Sequence, residues 1–324
     1  MITAYTLDAG AIVEIRCSAE TRIPDLALWV DLASPTPEER AMAELWIGTE
    51  IPTREEMAAI ETSERLYEVQ NTLVMTAVMP LVVREPDLKS AAMTLVVTKE
   101  RLVSLRHGEP TSVAAAVRRI QHDGVPIRTA SDILFVLLDA IADRAADVVE
   151  ECSSAFDTVA SDVFGRGIDS RKSAQYKATI QKIGQIGLKI ARMHDACASL
   201  ERLFLFLSLH AKTLGLNGQQ KSAAKTLGRD IRSIREHATG LDARLNFLLD
   251  ATVGLVNLEQ NQIIKIFSVL AVVFLPPTLI ASIYGMNFEF MPELNWAYGY
   301  LFSIGIMFMS VAITFLYFRW KKLL

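Results

Sequence analysis

Residues 266–284 read Ile-Phe-Ser-Val-Leu-Ala-Val-Val-Phe-Leu-Pro-Pro-Thr-Leu-Ile-Ala-Ser-Ile-Tyr, and residues 297–318 form a second apolar run of the same kind. Neither contains Asp, Glu, Lys or Arg. As a helix rising about 1.5 Å per residue, each is long enough to cross a hydrocarbon core of about 30 Å. Between them stands the short hairpin Tyr284-Gly285-Met286-Asn287-Phe288-Glu289-Phe290-Met291-Pro292-Glu293-Leu294. The chain therefore reads as a large water-facing part followed by two spans. Such a protein either works on something that crosses a bilayer or is tethered to one.

Charge sets the expected orientation. Arg319, Lys321 and Lys322 follow the second span, whereas the hairpin carries Glu289 and Glu293 and no basic residue. By the positive-inside rule the C-terminus lies in the cytoplasm, and two crossings put the N-terminal part there too. The expected location is a plasma membrane of the bacterial inner-membrane type, crossed more than once. The N-terminus has no basic segment leading into an apolar core, so no signal peptide is expected. A net charge of -4 offers no global basic field for nucleic acid. Cys17, Cys152 and Cys197 are odd in number and far apart, which suits a reducing compartment rather than a disulfide framework.

The expected fold class is α+β: a small mixed sheet with helices, then long α-helices, with a stalk helix continuous with the first span. Strand-like runs are Ile2–Leu7, Ala11–Ile15, Leu28–Asp31, Leu66–Val69, Thr72–Val78, Met93–Val97 and Leu102–Arg106. Thr36-Pro37-Glu38-Glu39 opens a helix to Trp46 with an N-cap and a proline at the first helical position. Thr53–Ile60 repeats the idea. Helix periodicity then runs from Ser131 to about Phe164 and from about Ser170 to Leu214. From Gln219 to Tyr284 no strong stop precedes Pro276-Pro277, so one helix of about 100 Å is expected. Gly228, Gly240 and Gly254 are its weak points.

The expected division is 1–128 for a cytosolic α/β domain, 129–218 for long antiparallel helices and 219–265 for the stalk. Residues 266–284 then form the first span, 285–296 an outward-facing loop, 297–318 the second span and 319–324 a basic tail.

Two spans cannot wall an ion path, but a ring of identical first spans can. A stripe at alternating three- and four-residue steps joins Asn257, Asn261, Ile264, Ser268, Ala271, Leu275, Thr278 and Ser282. Phe267 lies beside it. Neutral amide and hydroxyl oxygens suit an ion that keeps its water, as magnesium does. Rings of Ile264, Phe267 and Leu275 would close by dewetting. A helix–helix seam gathers small and hydroxylated residues just as well, so both readings stand.

The hairpin resembles the CorA family of magnesium transporters at Tyr284-Gly285-Met286-Asn287. The likeness extends back through Asn257-Leu258-Glu259-Gln260-Asn261 and Phe274-Leu275-Pro276-Pro277-Thr278. It implies a homopentameric funnel whose first spans line the pore. Asn287 then forms a selectivity ring with Gly285 and Met286 supporting it. The resemblance puts Asn261, Ile264, Phe267, Leu275 and Thr278 at pore-lining positions, and Asp250, with Asn257 beyond it, at the cytoplasmic neck.

Glu289 and Glu293 would gather cations at the outer mouth, or merely solubilise the loop. Lys265, Arg319, Lys321 and Lys322 suit a basic collar, or simple anchoring. Magnesium is the implied cargo and regulatory ligand, with cobalt and nickel as surrogates. Asp230, Glu85 and Asp87 are regulatory candidates on charge and approximate place alone. A zinc or other divalent transporter of the same superfamily, and a tethered cytosolic sensor or scaffold, remain alternatives.

No phosphate-binding loop, organic-cofactor motif or catalytic arrangement is present in the sequence, so no enzyme and no nucleotide partner is expected. His194 and Cys197 share helical spacing but lack two further metal ligands. The implied partners are further copies of the chain, the bilayer and hydrated divalent cations.

Overall fold

The structure is a computed structural model that describes residues 1–8, 11–17, 21–59, 61–84, 87–122, 126–165, 173–286, 291–292 and 296–321. The chain divides into two compact units, Met1–Leu249 and Asp250–Leu324.

The first unit is built on one seven-stranded sheet. Its strands are β1 (Ile2–Asp8), β2 (Ala11–Cys17), β3 (Ala27–Ala33), β4 (Leu66–Val69), β5 (Thr72–Arg84), β6 (Asp87–Val97) and β7 (Leu102–Arg106). They stand in the order β2-β1-β3-β7-β6-β5-β4. Only β3 and β7 pair in parallel, so the sheet is mixed, as expected.

Period-two alternation gives the sheet two apolar faces. Ile2, Ala4, Val30, Leu32, Val74, Val96 and Val103 pack with Ala43, Trp46 and Ile47 of α1 (Pro37–Ile47). Leu73, Met75, Leu95 and Leu102, on alternate positions, are also fully buried. The sheet there meets α5 (Ala130–Gly165) and α6 (Ser173–Leu209). A third helix, α4 (Thr111–His122), lies against α5.

Local chemistry explains the helix starts. Thr36 caps α1 and Glu39 returns the bond, a complete capping box, and Gly48 closes the helix in the left-handed region at φ 82°. Thr53 and Glu56 form a second box, but α2 (Arg54–Met57) is only one turn long, followed by α3 (Thr62–Arg65). The expected helix to Ile60 is therefore too long, and Ile60 itself lies outside the described residues.

The sequence also stops β5 too soon, at Val78. The ladder continues through Pro80↔Ser90 to Val82↔Leu88. Past Met75, β5 has no β4 partner and becomes an edge, where a proline removes no ladder bond. The Val78 N–H instead donates to Ser199 Oγ of α6 at 3.0 Å.

A polar chain is sealed beneath the second face. The Asp31 carboxylate accepts from Ser104 Oγ at 2.6 Å and from the Arg106 guanidinium at 2.9 and 3.0 Å. Ser104 Oγ accepts from Trp29 Nε1 at 2.8 Å, and Tyr5 stacks on Trp29. Burial and the nearby Asp31 charge push the Tyr5 hydroxyl up, so it stays neutral.

The long helix α7 (Gly218–Tyr284) is unbroken by Gly228, Gly240 or Gly254. Gly228 has a different use: a Cβ there would stand 3.3 Å from Cβ of Phe204, so the glycine permits close approach to α6. Arg235 pairs with Glu201 across the same contact at 3.0 Å. At its start, Gln220 Nε2 donates to Asp132 Oδ1 at 2.8 Å and links α7 to α5. The remaining helix, α8 (Gly299–Trp320), belongs to the second unit, as does α7 from Asp250 onward.

Removing one partner of a buried ion pair leaves the other uncompensated. Asp31→Ala should therefore lower the unfolding free energy of the detergent-solubilised chain by about 3–5 kcal/mol. The apolar double variant Asp31→Leu/Arg106→Met should recover much of that loss in the same denaturation experiment.

Asp132 gives a pH signature. Burial alone would raise its pKa, but bonds from the Arg128 and Thr129 N–H groups, the Thr129 hydroxyl and the Gln220 amide hold it below the usual carboxylate value. A depressed folded pKa stabilises above the unfolded value of about 3.9 and loses that contribution as pH falls through the folded value. Asp132→Ala should thus cost stability at neutral pH, and the gap from wild type should close in acid.

Candidate ion pathway along α7

The second unit leaves its apolar surface open. Neither hydrophobic window is covered by the rest of the chain: 0% of the α7 window and 6% of the α8 window are buried. Both helices are long and apolar enough to cross a bilayer.

Between Asn261 and Tyr284 the residues of reduced exposure are Val269, Val273, Pro276, Pro277, Ile280 and Tyr284. They recur at helical spacing and so mark one face. Val269 and Val273 share a groove with Phe315 of α8, so this face looks toward α8. On α8 the matching row includes Ser303, Ser310 and Thr314, each less than fully exposed. Their hydroxyls donate to the carbonyls of Tyr300, Met307 and Ser310, so each behaves as a small, satisfied packing residue.

The polar stripe lies elsewhere. At 3.6 residues per turn it is centred about 160° around α7 from the face that meets α8. Asn257, Asn261, Ile264, Ser268, Ala271, Leu275, Thr278 and Ser282 are all exposed. Phe267, beside them, is 65% exposed. Asp250 stands seven residues before Asn257, continues the same seam and is exposed. The resemblance assigns Asp250 to the neck, and its heptad step from Asn257 is an independent signal in the sequence.

Pro276 and Pro277 lie inside α7 without ending it. Lacking N–H groups, they cannot donate to the carbonyls of Val272 and Val273. Thr278 Oγ1 donates to the Phe274 carbonyl at 2.7 Å. Its hydrogen is thereby spent along the helix, and its oxygen stays available as an acceptor on the stripe. An ion carrying its own water presents hydrogens outward, so acceptors are the groups it needs.

At the end of α7 the Gly285 N–H donates to Ala281 O at 3.0 Å, and the Met286 N–H to Ile283 O at 3.2 Å. Gly285 is not in the left-handed region. Its value is room, since a Cβ would stand 3.1 Å from Ala281 O. Met286 is exposed in the single chain. Asn287, Glu289 and Glu293 lie outside the described residues, as do Glu85 and Lys322. Lys265, Arg319 and Lys321 are exposed near the ends of the spans opposite the hairpin.

Of the regulatory candidates, Asp230 alone has a described side chain. Asp87 begins β6, and nothing of its side chain is described. Asp230 is exposed on α7. Its charge is felt by Asp139 of α5, whose carboxyl is pushed up by burial first and then by Asp143, with Asp230 adding a smaller share. Arg119 already bonds Asp139 at 2.8 Å and Asp143 at 2.5 Å. Among the described residues, no group of three or more His, Cys, Asp or Glu could hold a metal ion. Cys197 is wholly buried and its thiol is pushed up to about 11, chiefly by burial, which makes it packing rather than a ligand.

Comparison with known proteins bears on this arrangement. A family model described as "CorA-like Mg2+ transporter protein" matches residues 26–322. The magnesium transport proteins CorA of Salmonella typhimurium and Escherichia coli K12 are each 32% identical over 322 residues, covering 99% of both chains. Among solved structures, the complete CorA magnesium transporter of Methanocaldococcus jannaschii superposes with a TM-score of 0.78 at 19% identity. It covers 98% of this chain and 97% of its own. The full-length CmaX protein does so with a TM-score of 0.69 at 15% identity, covering 98% and 96%. At such identities the structures speak for the fold, and the family rests on the sequence matches. With its sheet, long helix and paired apolar helices so aligned end to end, the chain belongs to the CorA family of membrane transporters.

Proposed function

We propose that this chain carries magnesium, with other hydrated divalent cations as poorer cargo, through a pore formed by five copies. Membership in a transporter family, rather than any missing motif, sets an enzymatic reading aside. The observation that carries the proposal is the bare polar stripe on α7. It faces away from α8, so a ring of α7 helices presents it to a common axis while α8 stays outside. The number five comes from the family resemblance.

The mechanism follows from water that is not shed. Magnesium dehydrates reluctantly, and its shell offers outward hydrogens. Oxygens of Asn257, Asn261, Thr278 and Ser282 would accept those hydrogens, and Asn287 would do so at the outer mouth. Ile264, Phe267 and Leu275 would form apolar rings that stop conduction by drying. Asp250 would concentrate cations at the inner neck. With the N-terminal part inside, an inside-negative potential supplies about 2.3 kcal/mol per charge per 100 mV, hence roughly twice that for a divalent ion. Feedback by cytosolic magnesium, with Asp230, Glu85 and Asp87 as sensors, belongs to the same reading.

Uptake of magnesium into proteoliposomes should fall at least tenfold on Asn287→Ala, with the assembly intact by light scattering. Unchanged uptake and selectivity would leave Asn287 a simple helix cap and the two spans a tether. The axis has its own test. Ser268→Cys, on the stripe, should give oxidative dimers and no larger species, because each thiol pairs once. Val273→Cys, on the opposite face, should stay monomeric under the same oxidation.

A further inference from the structure

At the Lys265 end of the second unit, α7 and α8 part and leave an apolar groove of about 440 Å³. Ile266, Val269, Leu270 and Val273 form one wall and Phe315 the other. Gln262 and Lys265 line its end, where the chain leaves the apolar window. Arg319 follows Phe315 by four residues, one helical turn further toward the same end. Here Gln262, Lys265 and Ile266 are exposed, whereas Val269 and Val273 are half-buried, so the seam between the helices opens like a wedge.

We propose that this wedge is a binding site for an anionic phospholipid, one acyl chain lying along Val269, Val273 and Phe315 and the phosphate resting on Lys265. The occupant is argued from charge and shape together. The wall is apolar over its length, and among the described residues the one charged side chain in the lining, Lys265, is basic. A neutral detergent or a bare phosphate would satisfy one half of the site alone. Basic clefts between membrane helices at the cytoplasmic side suit anionic head groups. The groove also lies on the face of α7 opposite the polar stripe, where lipid has access while the stripe faces copies of the chain. The inference rests on α7 and α8 crossing the bilayer and not on what passes along the stripe.

The full-length protein in phosphatidylcholine vesicles tests it, with trace spin-labelled phosphatidylglycerol or phosphatidylcholine and the motionally restricted fraction as the readout. Wild type should retain phosphatidylglycerol about fivefold over phosphatidylcholine, the size expected for one basic residue near the surface. Lys265→Gln should remove the preference. Val269→Trp, which keeps the lysine and fills the groove, should remove it too. Equal retention of the two lipids by wild type would overturn the proposal, the groove then being filled by a second copy or by any lipid alike. A preference that survives Val269→Trp would also overturn it, reducing Lys265 to an interfacial anchor. This readout requires no ion flux, so a failure of transport leaves the result standing on its own.

Discussion

A hydrocarbon layer offers no hydrogen-bonding partner, so whatever crosses it must satisfy its own backbone and show the layer apolar side chains. Apart from the two rungs lost at Pro276 and Pro277, the last part of α7 and the apolar length of α8 meet both conditions, and the rest of the chain covers almost none of their surface. Large uncovered apolar surface on a water-exposed protein is unstable, and within a bilayer it is ordinary. What needs explaining is the opposite: amides and hydroxyls on one side of α7 that lipid would not solvate. Those groups demand either water or more protein. The proposed wet axis among several copies would supply both.

The division of α7 into faces organises the second unit. One face meets α8 through half-buried Val269, Val273 and Ile280, against a row containing Ser303, Ser310 and Thr314 whose hydroxyls are turned back onto their own helix. The other carries the open polar seam. The hydroxyls on both faces bond back along their own helix, and the faces differ in what their oxygens meet: those on α8 are partly or wholly covered, whereas that of Thr278 is exposed. Composition alone cannot tell one face from the other, and the position of α8 excludes only a seam between the stripe and α8 itself.

Much of the fold is legible in the chain. Alternating and β-branched runs locate the seven strands of the sheet, and the Thr36 and Thr53 boxes announce their helices because both partners of each bond lie three residues apart. Where local rules mislead, a distant partner is the reason. Pro80 argues against a strand until α6 is seen to take over the Val78 N–H. Gly228 looks like a weak point until Phe204 is seen beside it. The Asp31–Arg106 pair joins residues far apart in sequence, and nothing near either one betrays the other. The seam on α7 is readable from spacing, but the lipid groove is not, because it exists only where two helices separate.

The consecutive prolines at 276 and 277 set the compliance of α7. Two missing rungs at one level leave the helix softer in bending there. Thermal flexing concentrates at that level, beside Leu275 and Thr278. Leu275 and Thr278 of the exposed stripe thus sit on the joint itself, and a small tilt of the segment beyond the prolines displaces both together.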